Sequence, residues 1–164
     1  MTYESFLASK VRLATAHGFE VSAADLNRLL KPHQRDIVLW ALRGGRRAIF
    51  AAFGLGKSFM QLEIARIVQA HAGGRFLIVA PLGVRQEFLR DAAKLGIAIR
   101  FVRSIEECDA EGIYLTNYET VRDGKLDPRQ FVGASLDEEA VLRGFGGTKT
   151  FREFMRLFDG IRYK

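Results

Sequence analysis

The stretch Ala48–Val68, AIFAAFGLGKSFMQLEIARIV, decides the reading of this chain. Its first five residues, AIFAA, form a short apolar run that reads as a buried strand, and KSFMQLEIARIVQAH carries a helical pattern ended by Gly73-Gly74. Between them stands Gly54-Leu55-Gly56-Lys57-Ser58. A strand, a glycine-rich turn and a helix are the setting of a phosphate-holding loop. Glycines let consecutive N–H groups turn inward around an anion, and the helix start adds its partial positive charge. In such a loop Lys57 reaches the β- and γ-phosphates and the Ser58 hydroxyl ligates Mg²⁺. The general pattern G-x-x-x-x-G-K-[ST] has glycine at position 51, where this chain has Ala51. On these residues alone, a glycine-rich helix entry with an exposed lysine is the competing reading.

Working upstream, PHQRDIVLWALRGG predicts a helix that starts at Pro32 and stops at Gly44-Gly45, with Trp40 in the core. The first thirty residues read as short helices, YESFLASKVRLA and then SAADLNRLL with Ser22 as N-cap. Downstream, short apolar runs alternate with amphipathic stretches. FLIVA, IAIRFV, GIYLTNY and the run ending at Leu136 read as strands, GVRQEFLRDAAKLG and TKTFREFMRLFDG as helices, and IRYK as the start of another strand. This rhythm predicts an α/β fold, a parallel β-sheet flanked by helices, with ligands beyond the carboxyl ends of the strands.

At 164 residues the chain is about one domain, and 48% hydrophobic with 27% charged residues is ordinary for a folded soluble protein. A net charge of +6 suits a polyanionic partner such as nucleic acid, or a plain solvated surface. The single cysteine, Cys108, excludes an intramolecular disulfide and a cysteine-rich metal site, and fits a reducing cytoplasm. Its neighbours Glu106, Glu107 and Asp109 raise a thiol pKa, which argues against a catalytic thiolate. His17, His33 and His71 lack ligand spacing, and no apolar run is long enough to span a membrane.

A second chemical element is Leu136-Asp137-Glu138-Glu139-Ala140. A carboxylate at a strand's carboxyl end beside a phosphate loop can hold Mg²⁺ through water, and an adjacent one can polarise the attacking water. Asp137 takes the first role and Glu138 the second. Alone, the acidic pair also reads as favourable charge at a helix start.

Together these stretches resemble the superfamily 2 helicases. AAFGLGKS matches the A-x-x-G-x-G-K-[ST] loop of that family, in which alanine replaces the first glycine, and LDEEA is similar to its DEAD/DEAH-type second motif. LKPHQRDIVLWAL resembles the glutamine motif of the Swi/Snf-related branches, with Gln34 at the adenine-reading position. VAPLGV resembles motif Ia and LTNYE the short strand-end motif before the acidic box. The combination is most similar to helicase-like proteins of bacteriophages and prophages.

The resemblance implies a RecA-like ATP-binding lobe over residues 31–164, preceded by a helical extension over 1–30. It implies ATP and Mg²⁺ as cofactors, held by Gln34, Gly54, Leu55, Gly56, Lys57 and Ser58, with Asp137 as a second metal-binding residue and Lys57, Asp137 and Glu138 as the catalytic set. It makes Pro81, Leu82, Thr116 and Asn117 candidate contacts to nucleic acid, DNA in the first instance. A complete motor of this kind has a second lobe whose arginines stabilise the transferred phosphoryl group, worth about 10³–10⁵ in rate in comparable systems. The third motif normally follows the acidic box, and the chain stops as IRYK enters that strand. Nucleotide binding with very slow hydrolysis is therefore expected of these residues alone. The alternatives are a nucleic-acid-binding module with a vestigial nucleotide site and another P-loop phosphotransferase.

Overall fold

The computed structural model describes residues 15–52, 54–137 and 147–164, with the side chains of 147–151 left aside. Four strands form one all-parallel sheet: β1 (Arg75–Val79), β2 (Ile99–Phe101), β3 (Gly112–Thr116) and β4 (Gly133–Leu136), in the order β2-β3-β1-β4. Register is set by the burial of both faces. Phe76 and Ile78 of β1 point into one core with Ile113 and Leu115 of β3, whereas Leu77 and Val79 point into the other with Tyr114. A slip by one residue would exchange the two sets.

The first core is roofed by three helices, α1 (Pro32–Gly44), α2 (Lys57–Ala72) and α3 (Arg85–Leu95). Each presents an apolar stripe, for instance Phe88, Ala92 and Leu95 on α3, one helical turn apart. The second core is covered by α4 (Tyr118–Arg122) and α5 (Gly147–Arg156), through Tyr118, Val121 and Phe154, and by Phe158 in the turn after α5. The α/β reading is thus met, with β1 and β3 buried in the middle as their apolar runs predict.

Three sequence expectations are corrected. The AIFAA run is no strand: Ala48–Ala52 lies outside the sheet, and Phe50 is 93% exposed. A strand exists only through its ladder, and Ala48–Ala51 make no backbone hydrogen bond among the described residues. Trp40 lies on the surface, with the Arg47 guanidinium 5.5 Å from its ring centre, because Val38, Ala41 and Leu42 already fill the stripe that faces α2. SAADLNRLL keeps its Ser22 cap, whose Oγ accepts from Ala24 N–H at 3.2 Å, but winds only as a 3₁₀ turn over Ala23–Asp25. Beyond it Leu26 and Leu30 are buried, and Asn27 is tied to Glu63 of α2 and to the Leu95 carbonyl, so tertiary contacts replace helical ones. The run YESFLASKVRLA lies outside the described residues.

Candidate phosphate-loop site

All four strands run the same way, so their carboxyl ends share one rim of the sheet. The glycine-rich loop enters α2 at this rim. Gly54 and Gly56 adopt φ of +83° and +74°, a left-handed conformation that favours glycine. At Gly56 a side chain is excluded twice over, because a Cβ there would stand 2.3 Å from Gln34 Nε2. That close approach is the reason for the second glycine: Gln34, on the first turn of α1 and 5% exposed, lays its amide against the loop. Its Nε2 donates to the Leu55 carbonyl at 3.0 Å, and its Oε1 accepts from Lys31 N–H at 2.9 Å. A primary amide has a second donor and a second acceptor pair, so Gln34 retains one of each.

Lys57 opens α2 and is exposed, with no hydrogen bond or ion pair among the described residues. Ser58 is half-buried and donates through Oγ to Asp91 Oδ2 at 2.7 Å. Asp91, on α3, also accepts from Lys94 Nζ at 3.0 Å. With its proton committed to Asp91, the Ser58 oxygen keeps its lone pairs for an electrophile.

Asp137 follows the last residue of β4, its N–H donating to the Val79 carbonyl at 2.8 Å. Its carboxylate accepts from Gln61 Nε2 at 3.2 Å, and its backbone carbonyl accepts from the Tyr118 hydroxyl. Gln61 is one helical turn past Lys57, so the loop lysine and the acidic strand end meet through α2. Both border a cavity of about 690 Å³ that also touches Ala51 and Ala48. Glu138 lies outside the described residues.

The remaining candidates sit along the same rim. Pro81 and Leu82 follow β1, where the Pro81 carbonyl accepts from Val84 N–H at 3.1 Å and Leu82 is half-exposed. Thr116 ends β3 with its side chain turned inward, 1% exposed, donating to the Val102 carbonyl at 2.8 Å. Asn117 is half-buried, and its side chain donates to Glu119 at 2.8 Å and accepts from the Thr120 hydroxyl. Arginine lies nearby: Arg85 stacks on the Phe101 ring at 4.2 Å, and Arg103 sits 5.9 Å from the same ring.

Gln61 and Asp91 were not singled out in the sequence, though each leaves a trace there. Gln61 is four residues after Lys57 and shares its helix face. Asp91 interrupts the apolar stripe of α3 between Phe88 and Ala92, and an acid in a core stripe needs partners. The Cys108 thiol is pushed up in pKa as expected, but chiefly by its own burial; Arg75 and Arg100 pull it back, and Glu107 and Asp109 add to the rise. Among the described residues no cluster of three or more His, Cys, Asp or Glu could hold a metal by itself, and no helix is long and apolar enough to cross a membrane.

No protein-family model matches the chain, and no curated protein matches it by sequence. Solved structures do match in shape. The crystal structure of the UvsW helicase from bacteriophage T4 superposes with a TM-score of 0.64 at 18% identity, covering 100% of this chain and 58% of that one. The Sulfolobus solfataricus SWI2/SNF2 ATPase core in complex with dsDNA gives 0.60 at 18% identity, covering 82% of this chain and 31% of that one. The chain therefore shares a RecA-like α/β fold with these structures and spans little over half the length of the first of them.

Proposed function

We propose that this chain is the ATP-binding lobe of an ATP-dependent DNA helicase or translocase. The observation that carries the reading is the convergence of Lys57 and Asp137 on one cavity, linked by the Gln61 to Asp137 hydrogen bond. Two sequence segments far apart in the chain, each ambiguous alone, supply a phosphate-binding cation and a metal-binding anion to the same place.

The residues present fit Mg-ATP. Gly54, Leu55, Gly56, Lys57 and Ser58 cradle the phosphates, the positive φ of the two glycines being what such a cradle requires. Ser58 and Asp137 hold Mg²⁺, which when bound supplies charge neutralisation on the phosphate oxygens. Gln34 supports the loop from beneath and offers its remaining donor and acceptor to the adenine. Glu138 acts as the base that orients water. Residues 31–164 make up the lobe, and residues 1–30 an extension that precedes it. Hydrolysis at a useful rate needs arginines from a second lobe. Nucleic acid lies along the strand-end rim, contacted by Pro81, Leu82, Asn117 and the backbone at Thr116, the net charge of +6 favouring a polyanion.

Calorimetric titration of Mg-ATP and Mg-ADP into the chain, alongside Lys57→Ala, tests the nucleotide reading. Saturable binding that weakens at least about 100-fold in the variant is expected, since a desolvated charge contact to phosphate is lost. Absence of binding in a folded sample overturns it. DNA binding that depends on salt but ignores both ATP and Lys57→Ala would instead favour a module with a vestigial site.

A further inference from the structure

Asp137 stands one residue past β4 and is held on three sides. Its N–H makes the last rung to β1, through the Val79 carbonyl at 2.8 Å. Its carboxylate accepts from Gln61 Nε2 of α2 at 3.2 Å, and its own carbonyl accepts from the Tyr118 hydroxyl. The register of the sheet explains the third tie. In a parallel ladder a residue that donates to one carbonyl of its neighbour accepts from the N–H two residues further along that neighbour. Asp137 donates to Val79, so its carbonyl is due the N–H of residue 81. Residue 81 is proline and has none.

Tyr118 supplies the missing donor from an element that does not adjoin β4. It opens α4, directly after Asn117, and β1 lies between β3 and β4 in the sheet. Two strand spacings, about 10 Å, separate the backbones of β3 and β4. The phenol closes that gap from within the second core, where it is 2% exposed and shares a cluster with Leu77 and Val79 of β1. Phenylalanine would fill the same space. The hydroxyl adds one buried donor, which is tolerated there because it is paired.

We infer that Tyr118 is a positioning residue for Asp137: its hydroxyl replaces the ladder donor that Pro81 lacks and fixes the main chain from which the carboxylate projects. Gln61 sets the carboxylate, and Tyr118 sets the backbone behind it. The inference rests on the nucleotide reading, in which Asp137 holds Mg²⁺. Partners that orient a metal-binding residue are commonly worth about 10–100-fold in metal affinity.

The test is calorimetric titration of ATP, with Mg²⁺ and with EDTA, into the full chain, Tyr118→Phe, Asp137→Asn and the double variant. The parent chain is expected to bind ATP more tightly with Mg²⁺. Tyr118→Phe is expected to lose about tenfold or more of the Mg-ATP affinity and to bind metal-free ATP as the parent does, a split that general loosening of the core does not produce. In the Asp137→Asn background the same change is expected to cost less than about twofold, because its route to the metal is gone. Tyr118→4-aminophenylalanine keeps a donor on the same ring and serves where the phenylalanine variant fails to fold; it is expected to restore the parent's Mg²⁺ dependence. Three results overturn the proposal: equal weakening with and without metal, the full tenfold loss in the Asp137→Asn background, or a folded 4-aminophenylalanine variant whose Mg²⁺ dependence matches that of Asp137→Asn. A parent chain that binds no ATP, or binds it equally with and without Mg²⁺, overturns the nucleotide reading and this inference with it.

Discussion

The two sides of β4 are built from similar sequence and have opposite fates. On the inner side FLIVA becomes β1, a fully laddered strand with Leu77 and Val79 buried completely. On the outer side AIFAA, just as short and apolar, stays out of the sheet with Phe50 facing water. The difference lies in neighbours. β1 has a strand on each side, whereas Ala48–Ala51 border a cavity, rest Ile49 and Ala51 against the first core, and make no backbone hydrogen bond among the described residues. An apolar run is a strand only where something pairs with it.

The comparison breaks most decisively under large-to-small substitution. Leu77→Ala removes a fully buried side chain of the central strand and is expected to destabilise the chain by about 2–5 kcal/mol in urea denaturation. Phe50→Ser, at the matching place on the open side, is expected to change stability by no more than about 0.5 kcal/mol. Comparable losses at both positions would mean that Ala48–Ala52 is packed in solution and that the asymmetry is false.

The second-largest effect belongs to Glu63, buried in α2 on the closed side. Its carboxylate accepts two bonds from Arg66, at 2.7 and 2.9 Å, and the Asn27 N–H at 2.7 Å. Glu63→Ala strands the Asn27 amide and loosens the segment before α1, at an expected cost of about 2 kcal/mol, moderated because Arg66 reaches solvent. Hydrogen exchange should quicken at Asn27 and leave Ala48–Ala51 unaltered. Joint quickening of both would couple the two sides.

How far the sequence could be read follows the same division. FLIVA, GIYLTNY and KSFMQLEIARIVQAH were legible because local pattern and tertiary environment agree: both strands are buried on two faces and the helix presents one stripe. AIFAA was misread because its pattern implies a pairing partner, whereas among the described residues the ladder stops at Arg47, just before the run. Trp40 was misplaced because size suggests burial, whereas the phase of α1 assigns the core stripe to Val38, Ala41 and Leu42. In the site, Gly54, Gly56, Lys57, Ser58 and Asp137 could be picked out by residue type and spacing. Gln61 and Asp91 leave only the weaker traces of a shared helix face and an acid in an apolar stripe, since each acts through a partner on another element and a single sequence does not say which elements meet.

Asp91 sharpens the site half of the comparison. Its bond to Ser58 joins α2 to α3 on the closed side and fixes the direction of the hydroxyl that our reading assigns to Mg²⁺. Asp91→Ala is expected to weaken Mg-ATP binding about tenfold, the worth of a hydrogen bond to a charged group, and to weaken metal-free ATP much less. Equal weakening of both would show that Asp91 supports the loop in general and does not orient Ser58.

The smallest expected effect lies at the entrance to β4, on the loop that delivers it to β1. Asp127 caps the turn over Pro128–Gln130, accepting from Arg129 N–H at 3.0 Å and from the Arg129 guanidinium at 2.8 Å. The guanidinium hydrogen bond, then the backbone bond and the charge itself, hold the Asp127 carboxyl below its usual pKa despite a counteracting contribution from burial. A carboxyl whose pKa is depressed on folding stabilises the fold above its unfolded pKa of about 3.9, and the contribution disappears as pH falls through the lower folded value. Because Arg129 is exposed and Asp127 half-buried, solvent screens the pair, and it is worth less than about 1 kcal/mol. Asp127→Asn should therefore be less stable than the parent chain by that amount at pH 7, and the gap should close below about pH 4. A gap that persists into acid would assign the residue's value to its cap on the Arg129 N–H, which an asparagine side chain would then be failing to reproduce. A gap absent at every pH would mean that β4 is held at its entrance by the sheet alone, and that its closed side needs no help from the loop.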